Sequence, residues 1–366
     1  MAEIASGLPS SVALVLATST GGTGAHVRSL LDELQRSGSD VTVYGPPATD
    51  ARFGFSAAGA DFAALPLAAG VRPVATIRAR RALARAGRAD IVHAHGLRAA
   101  VAAAGLARRT RLVITWHNAP PPARGRAAVF RVLMRYAARR ADANLCVSRD
   151  LVALVARGGV TARLAPVGAA PLPPPYRSRD DVRAEVGAGT RALVVAVGRL
   201  QPQKGFDVLV DAAGRWRTAA AAPVIVVAGD GPDREALQRQ ARRVGADVRF
   251  VGHRTDVSEL LRAADIVVMS SQWEGSPLAA HEALLAGAPL VATAVGGVPE
   301  LVGDAAVLVP PGDPDALATA VLGIVDDPGR ARELHRRALA RAHDWPDATR
   351  SARAVIEVYA EIVRAA

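Results

Sequence analysis

A-L-V-V-A-V-G-R-L-Q-P-Q-K-G-F-D-V-L-V-D-A-A (192–213) joins three kinds of sequence in one short stretch. Ala192 to Val197 is an unbroken apolar run, as a strand buried on both faces requires. Gly198 to Gly205 holds glycines, a proline and two cations, the composition of a loop. Phe206 to Ala213 resumes apolar residues at helical spacing. The stretch reads as strand, loop and helix, and a chain of such units forms a parallel sheet covered on both faces. Lys204 in its loop is the only lysine of the chain; every other one of the 45 basic residues is arginine.

The same pattern extends in both directions. Downstream, strands are expected at 224–230, 248–252, 265–270, 289–293 and 306–309, with helices between them and a helical end over 314–366 broken by Trp345-Pro346. Upstream, strands are expected at 12–17, 40–45, 62–67, 90–96, 111–117 and 143–148. Helices are expected at 26–36, 74–86, 97–107 and 126–140. Between the two series, P-V-G-A-A-P-L-P-P-P-Y-R-S-R (166–179) is proline-rich and aperiodic, and reads as a semi-rigid linker. The fold class is therefore α/β with two parallel-sheet domains. The expected boundaries are an N-terminal domain at 1–168, a linker at 169–190, a C-terminal domain at 191–345, and a last helix at 346–366 packing back toward the N-terminal domain.

The chain of 366 residues is long enough for two cores, and 50% of it is hydrophobic with only 4% aromatic, which fits an Ala-rich α/β protein. The net charge of +11 suits phosphate-bearing ligands or anionic surfaces. Arginines gather in the N-terminal domain at 78, 80, 81, 85, 88, 108, 109, 111, 124, 126, 131, 135, 139 and 140, so an anionic membrane is a candidate partner beside a plain arginine-rich surface. The arginines lack interleaved aromatics, which argues against single-stranded nucleic acid. The single cysteine, Cys146, sits in an apolar run and reads as a small core residue. With no intramolecular disulfide, no leader-like N-terminus and no membrane-length apolar run, a cytoplasmic protein is expected, soluble or peripheral to the inner membrane face.

In open parallel sheets, ligands bind beyond the C-terminal strand ends at the switch point, and two such domains suggest a site in the cleft between them. Several strand ends carry unusual residues. Arg199 and Lys204 place a planar fork and a compact charge before a helix N-terminus, with Gly205 as its cap, which suits a diphosphate. S-T-G-G-T-G-A-H (19–26) is not a dinucleotide fingerprint, because Val27 stands where the third glycine belongs. Its glycines, Gly21 and Gly22, still permit close approach of backbone to a ligand. In S-Q-W-E-G-S-P-L-A-A-H-E (271–282), Ser276 and Pro277 read as the cap and first residue of a helix ending at Gly287. Glu274 and Glu282, eight residues apart, lie at different levels and suit hydroxyl recognition better than a paired acid and base. His93 and His95 are read as pointing to opposite faces of their strand, so that at most one faces a ligand. His26 starts a helix within reach of the site, and His281 reads as helix surface or packing.

These residues resemble the retaining glycosyltransferases of family 4, which have the GT-B fold of two Rossmann-like domains facing across a cleft. In the C-terminal half the matching pieces are V-G-R-L-x-x-x-K-G-F-D-V-L-V-D-A, A-G-D-G-P, V-R-F-V-G-H, A-D-I-V-V-M-S-S and E-G-S-P-L-A-A-H-E-A-L-L-A-G-A-P. In the N-terminal half, G-G-T-G-A-H-V, A-D-I-V-H-A-H and T-W-H-N fit more loosely. The resemblance implies a nucleotide-sugar donor, linked to UDP or GDP, and transfer of a hexose-type sugar to an unidentified acceptor. It implies that Arg199 and Lys204 hold the diphosphate and that Glu282 binds the ribose. Glu274 would contact the sugar with the backbone of Gly275, Ser276, Pro277 and Leu278, and His117 would lie near the donor sugar. Gly21 and Gly22 would approach diphosphate or acceptor, and Val251 to Arg254 would form a base-binding loop. Neither an essential metal nor another cofactor is expected. Rival expectations are a sugar-nucleotide epimerase on the same fold and a catalytically silent scaffold at a membrane surface.

Overall fold

The computed structural model describes residues 8–19, 21–65, 67, 79, 81–84, 86–106, 110–120, 124–216 and 222–365. The chain divides into two compact units, Met1–Gly168 with Pro346–Ala366, and Ala169–Trp345.

In the first unit β1 (Ser11–Leu16) leads to α1 (Gly22–Arg36), β2 (Asp40–Gly45), α2 (Pro47–Phe53) and β3 (Asp61–Ala64). Then come β4 (Ile91–His95), α3 (Gly96–Ala103), β5 (Arg111–Trp116), α4 (Arg124–Ala138), β6 (Ala143–Cys146), α5 (Arg149–Ala156) and β7 (Arg163–Leu164). Among the described residues the strands form one parallel sheet in the order β3-β2-β1-β4-β5-β6-β7. Successive strand residues alternate faces, and Val12, Leu14 and Leu16 of β1 join one core. Val27, Leu30, Leu31 and Leu34 of α1, spaced for one helical face, pack into the same core. Cys146 is buried, and burial pushes its thiol up to about 12, so it is an inert packing residue. The helix expected over 74–86 lies largely outside the described residues.

The second unit contains α6 (Arg179–Glu185), β8 (Leu193–Val197), α7 (Phe206–Trp216), β9 (Val224–Ala228), α8 (Arg234–Val244), β10 (Val248–Gly252) and α9 (Val257–Ala263). It continues with β11 (Ile266–Met269), α10 (Leu278–Leu285), β12 (Leu290–Thr293), α11 (Val298–Val302), β13 (Ala306–Val309), α12 (Pro314–Val325) and α13 (Pro328–Asp344). Its parallel sheet runs β10-β9-β8-β11-β12-β13 among the described residues. The expected linker over 169–190 needs correction. Ser178 caps α6 through its side chain, and Val182, Val186 and Ala188 sit in the core of the second unit. The proline-rich composition suggests a tether, but three buried apolar residues make most of that segment part of the domain.

The chain then returns. Pro346 follows α13, and Asp347 caps α14 (Ala348–Arg364) by accepting from the Arg350 amide. Ala352, Val355, Ile356, Val358 and Tyr359 of α14 are buried in the first unit's core beside α1. Each fully buried aliphatic there contributes about 1.5–3 kcal/mol. At the return point Gly168 donates its amide to Ser351 Oγ at 3.0 Å. A Cβ at Gly168 would lie 1.9 Å from the Pro346 carbonyl oxygen, so the outgoing and returning strands touch there.

Candidate active site

In the second unit the connections from β8 and β11 leave in opposite directions, so the switch point of the sheet lies between these neighbours. The loop after β8 carries Arg199 and Lys204; the loop after β11 carries Glu274. Four contacts lace the two loops together. Gln272 donates its amide to the Gln203 carbonyl at 2.7 Å, and Gln203 Nε2 donates to the Trp273 carbonyl at 3.0 Å. Ser270 Oγ donates to the Lys204 carbonyl at 3.1 Å, and Lys204 Nζ reaches Glu274 Oε1 at 2.6 Å. Ser271 Oγ donates to the same carboxylate oxygen at 2.7 Å. Glu274 is only 6% exposed, so Lys204 neutralises a charge that burial would otherwise penalise.

Gly205 makes this seam possible. Its φ is +60°, and a Cβ on it would lie 2.1 Å from the Ser270 carbonyl oxygen. Its own carbonyl accepts from Val208 and Leu209 at 3.1 and 3.3 Å, which starts α7 as the sequence suggested. Arg199 is exposed and makes no ion pair among the described residues.

Helix α10 starts one residue later than expected. Pro277, not Ser276, is the cap, and no side chain caps the helix. Proline has no amide and its fixed φ suits this place, so the Ser-Pro pair shifts by one position. The first-turn amides of α10, from Leu278 on, therefore lack a side-chain acceptor. Glu282, one turn further, is half-buried, and burial raises its carboxyl above the usual range. His281 is fully buried, and its Nδ1 accepts the Ala169 amide at 2.9 Å; it is a packing residue, not surface. Arg254 is committed elsewhere: its guanidinium pairs with Glu185 at 2.6 Å and with Asp256, beside partly buried Val251. The Arg254 guanidinium thus carries two carboxylate partners in the loop that the resemblance assigns to base binding.

In the first unit the switch point lies between β1 and β4. A cavity of about 440 Å³ opens there, lined by Ser19, Thr23, His95, Arg98, Asn118 and Phe130 among others. Gly21 caps α1 and Gly22 begins it, both exposed at the rim of the same β1–α1 turn. His117 follows β5, is 9% exposed, and shares a hydrogen bond of 3.2 Å with His95.

The structure corrects the reading of the histidines. Residues two apart on a strand share a face, and the rings of His93 and His95 lie 4.0 Å apart. With His26 and His117 they form a buried cluster, in which His26 stands 5.6 Å from His95 and 5.7 Å from His117. His93 is further bonded to Thr115 Oγ1 at 2.7 Å and to the Tyr359 hydroxyl of α14. Sequence reasoning missed Thr115, Tyr359, Ser271 and Gln203. The strand period, rightly applied, would have joined the two histidines; the others depend on tertiary contacts. Among the described residues no group of three or more His, Cys, Asp or Glu is placed to hold a metal ion.

Burial holds all four histidines below their ordinary value, His26 at about 4. An unfolded histidine takes up its proton near pH 6.5, so acid favours the unfolded chain. Stability is expected to fall as pH drops from 6.5 toward 4, by ~3 kcal/mol for His26 alone. Urea unfolding at pH 7 and pH 5 checks this: an equal midpoint at both would show that the cluster is not neutral when folded.

Two doubly wound parallel units, each with polar loops at its switch point, define a GT-B architecture. Two family models divide the chain: "Glycosyl transferase 4-like domain" over residues 21–170 and "Glycosyl transferases group 1" over 191–327. The chain belongs to the group 1 glycosyltransferases. It is 37% identical over 174 residues to a glycogen synthase of Mycobacterium tuberculosis, a match covering 46% of this chain and 42% of that one. It is 34% identical over 190 residues to a GDP-mannose-dependent alpha-(1-6)-phosphatidylinositol monomannoside mannosyltransferase of Mycolicibacterium smegmatis, covering 48% and 50%. The matched stretch is thus half or less of these relatives' length. The fold matches Anabaena HepE in complex with UDP and glucose at a TM-score of 0.83 and 20% identity, covering 95% and 99% of the two chains.

Proposed function

We propose that the protein transfers a hexose-type sugar from a nucleoside diphosphate sugar to an acceptor hydroxyl, with retention of anomeric configuration, as a family 4 enzyme does. The observation that carries this reading is the Lys204–Glu274 contact of 2.6 Å at the switch point, with Arg199 on the same loop. It joins a cation for phosphate and a carboxylate for sugar hydroxyls in one place. Breaking the C1–O bond sends its electron pair to a diphosphate oxygen while positive charge spreads over the sugar ring. Arg199, Lys204 and the uncapped amides of α10 offset the charge on the departing diphosphate. That oxygen then takes the proton of the acceptor hydroxyl as the new C–O bond forms on the same face. Glu282 accepts hydrogen bonds from the ribose hydroxyls, where its half-buried carboxylate has no cation to displace among the described residues. The cavity of the first unit, beside His95 and His117, receives the acceptor.

In this reading protein cations do the work of a divalent ion, so turnover is expected to persist in EDTA. The test is a donor panel, UDP- and GDP-linked, followed by nucleotide release and by the anomeric proton signals of the product. Inversion at C1 sinks the retaining mechanism, and rapid epimer formation without an acceptor marks an epimerase. No shift of the unfolding temperature with any nucleoside diphosphate marks a silent scaffold. Glu282→Ala is expected to weaken donor binding about tenfold, near the loss of one charge-assisted hydrogen bond. Unchanged donor affinity by calorimetry would remove the ribose assignment.

A further inference from the structure

The protons of the buried histidines in the first unit can be placed from their contacts. A neutral imidazole has one N–H and one bare nitrogen, and the partner of one nitrogen fixes the role of the other. Burial holds His26, His93, His95 and His117 below their ordinary value, so all four are neutral at pH 7. His93 has both nitrogens engaged, Nδ1 with the Tyr359 hydroxyl and Nε2 with Thr115 Oγ1 at 2.7 Å. His95 differs. Its Nδ1 lies 3.2 Å from His117 Nε2, while its own Nε2 is buried with no hydrogen-bond partner among the described residues. Two neutral rings bonded nitrogen to nitrogen share a single proton, so one ring donates and the other accepts. If the proton belonged to His117, His95 would carry its own on Nε2, and an N–H would be sealed in the core without an acceptor. If it belongs to His95 Nδ1, the orphan is only a bare nitrogen. A sealed N–H without an acceptor is the rarer of the two in folded proteins, which favours the second arrangement. That arrangement leaves His117 bare at Nε2 and puts its proton on Nδ1. His117 Nδ1 bonds to no described residue and is not sealed from solvent, and the next residue, Asn118, lines the cavity of about 440 Å³.

We propose that His95 is a positioning residue: its Nδ1–H donates to His117 Nε2 and so fixes His117 as an outward hydrogen-bond donor beside the cavity. The group that His117 meets is then an oxygen with a free lone pair, such as a hydroxyl, ring or carbonyl oxygen. It is not a group that hands over a proton, because the outward nitrogen already carries one and has no lone pair to take another. His117 therefore recognises and orients its ligand, and does not act as a base. This agrees with a transfer in which the departing diphosphate oxygen takes the acceptor proton. The assignment itself rests on contacts within the first unit and does not need the transferase reading; only the kinetic arm of its test does.

The test reads the protons directly. The eight histidines of the full chain are labelled with nitrogen-15, and long-range proton–nitrogen spectra are recorded at neutral pH. His117 is assigned by the loss of its signals in H117Q. Its Nδ1 is expected to show the signature of an N–H and its Nε2 that of a bare nitrogen. His95→Asn and His95→Asp then place an amide or a carboxylate where Nδ1 stood. The two are matched in size, but the amide can donate and the carboxylate only accepts. H95N is expected to keep the wild-type pattern at His117, and H95D to put a proton on His117 Nε2. With the best sugar nucleotide of the panel, kcat/KM of H95D is expected about tenfold below that of H95N, near the worth of one hydrogen bond. Each variant is first shown to keep a cooperative unfolding transition; if H95D does not fold, the wild-type and H95N spectra still decide. A proton on His117 Nε2 in the wild type overturns the proposal. So does loss of the wild-type pattern in folded H95N, an unchanged His117 pattern in folded H95D, or equal kcat/KM in the two variants. The expected wild-type spectrum in a protein inactive with every sugar nucleotide would sink the transferase reading and leave the assignment intact.

Discussion

Lys204→Ala is expected to lower kcat/KM at least tenfold, about 1.4 kcal/mol or more of transition-state stabilisation. Two effects add. The diphosphate loses a cation, and Glu274, 6% exposed, keeps its charge with only Ser271 still donating to it. Removing one partner of a buried pair costs about 3–5 kcal/mol, so the variant should also unfold at lower temperature. The double variant Lys204→Ala/Glu274→Gln separates the effects. It removes the stranded charge and is expected to regain stability without regaining activity. Near-normal turnover in Lys204→Ala would refute the phosphate role outright. Lys204→Arg asks why one lysine survives in an arginine chain. The bulkier fork must fit against Glu274 and beside Arg199, and reduced activity is expected; full activity would make the lone lysine an accident of composition.

Gly205→Ala is expected to be among the most damaging glycine substitutions in the second unit. The φ of +60° disfavours any side chain, and the new Cβ would stand 2.1 Å from the Ser270 carbonyl oxygen, a backbone atom that cannot swing away. A cost of about 2–4 kcal/mol is expected, a fall of roughly 4–16 °C in Tm for a unit of this size. Activity should fall further than stability, because the shift spreads the seam that sets the reach of Lys204 to Glu274. A Tm within a degree of wild type would show that the two loops are not held as described.

The expected sheets were legible because buried parallel strands leave continuous apolar runs, and almost every strand declared itself that way. β7, two residues long and exposed, left no such trace. Arg199, Lys204, Glu274 and Glu282 stood out as charges at strand ends or among alanines. Their arrangement was hidden: seventy residues separate Lys204 from Glu274, and only the adjacency of β8 and β11 brings them within 2.6 Å. The pairing of Arg254 with Glu185 was hidden in the same way, since 69 residues separate them. His281 read as either helix surface or packing, and its partner, the Ala169 amide over a hundred residues away, decides for packing. The histidine error was of another kind: the spacing of His93 and His95 already contained the answer.

The contact between Gly168 and Pro346 has a consequence for how such a protein can be rebuilt. Residues 169–345 form one uninterrupted segment, and the chain on either side of it meets at that contact. In topological terms the second unit is an insertion into a closed host. A short linker from 168 to 346 would reseal the host without stretching it, and the excised segment carries its own sheet and both of its cores. The segment is therefore a natural cassette. Replacing it with the matching piece of a relative that takes a different nucleotide exchanges one complete module at two neighbouring splice points, instead of threading many substitutions through a shared core.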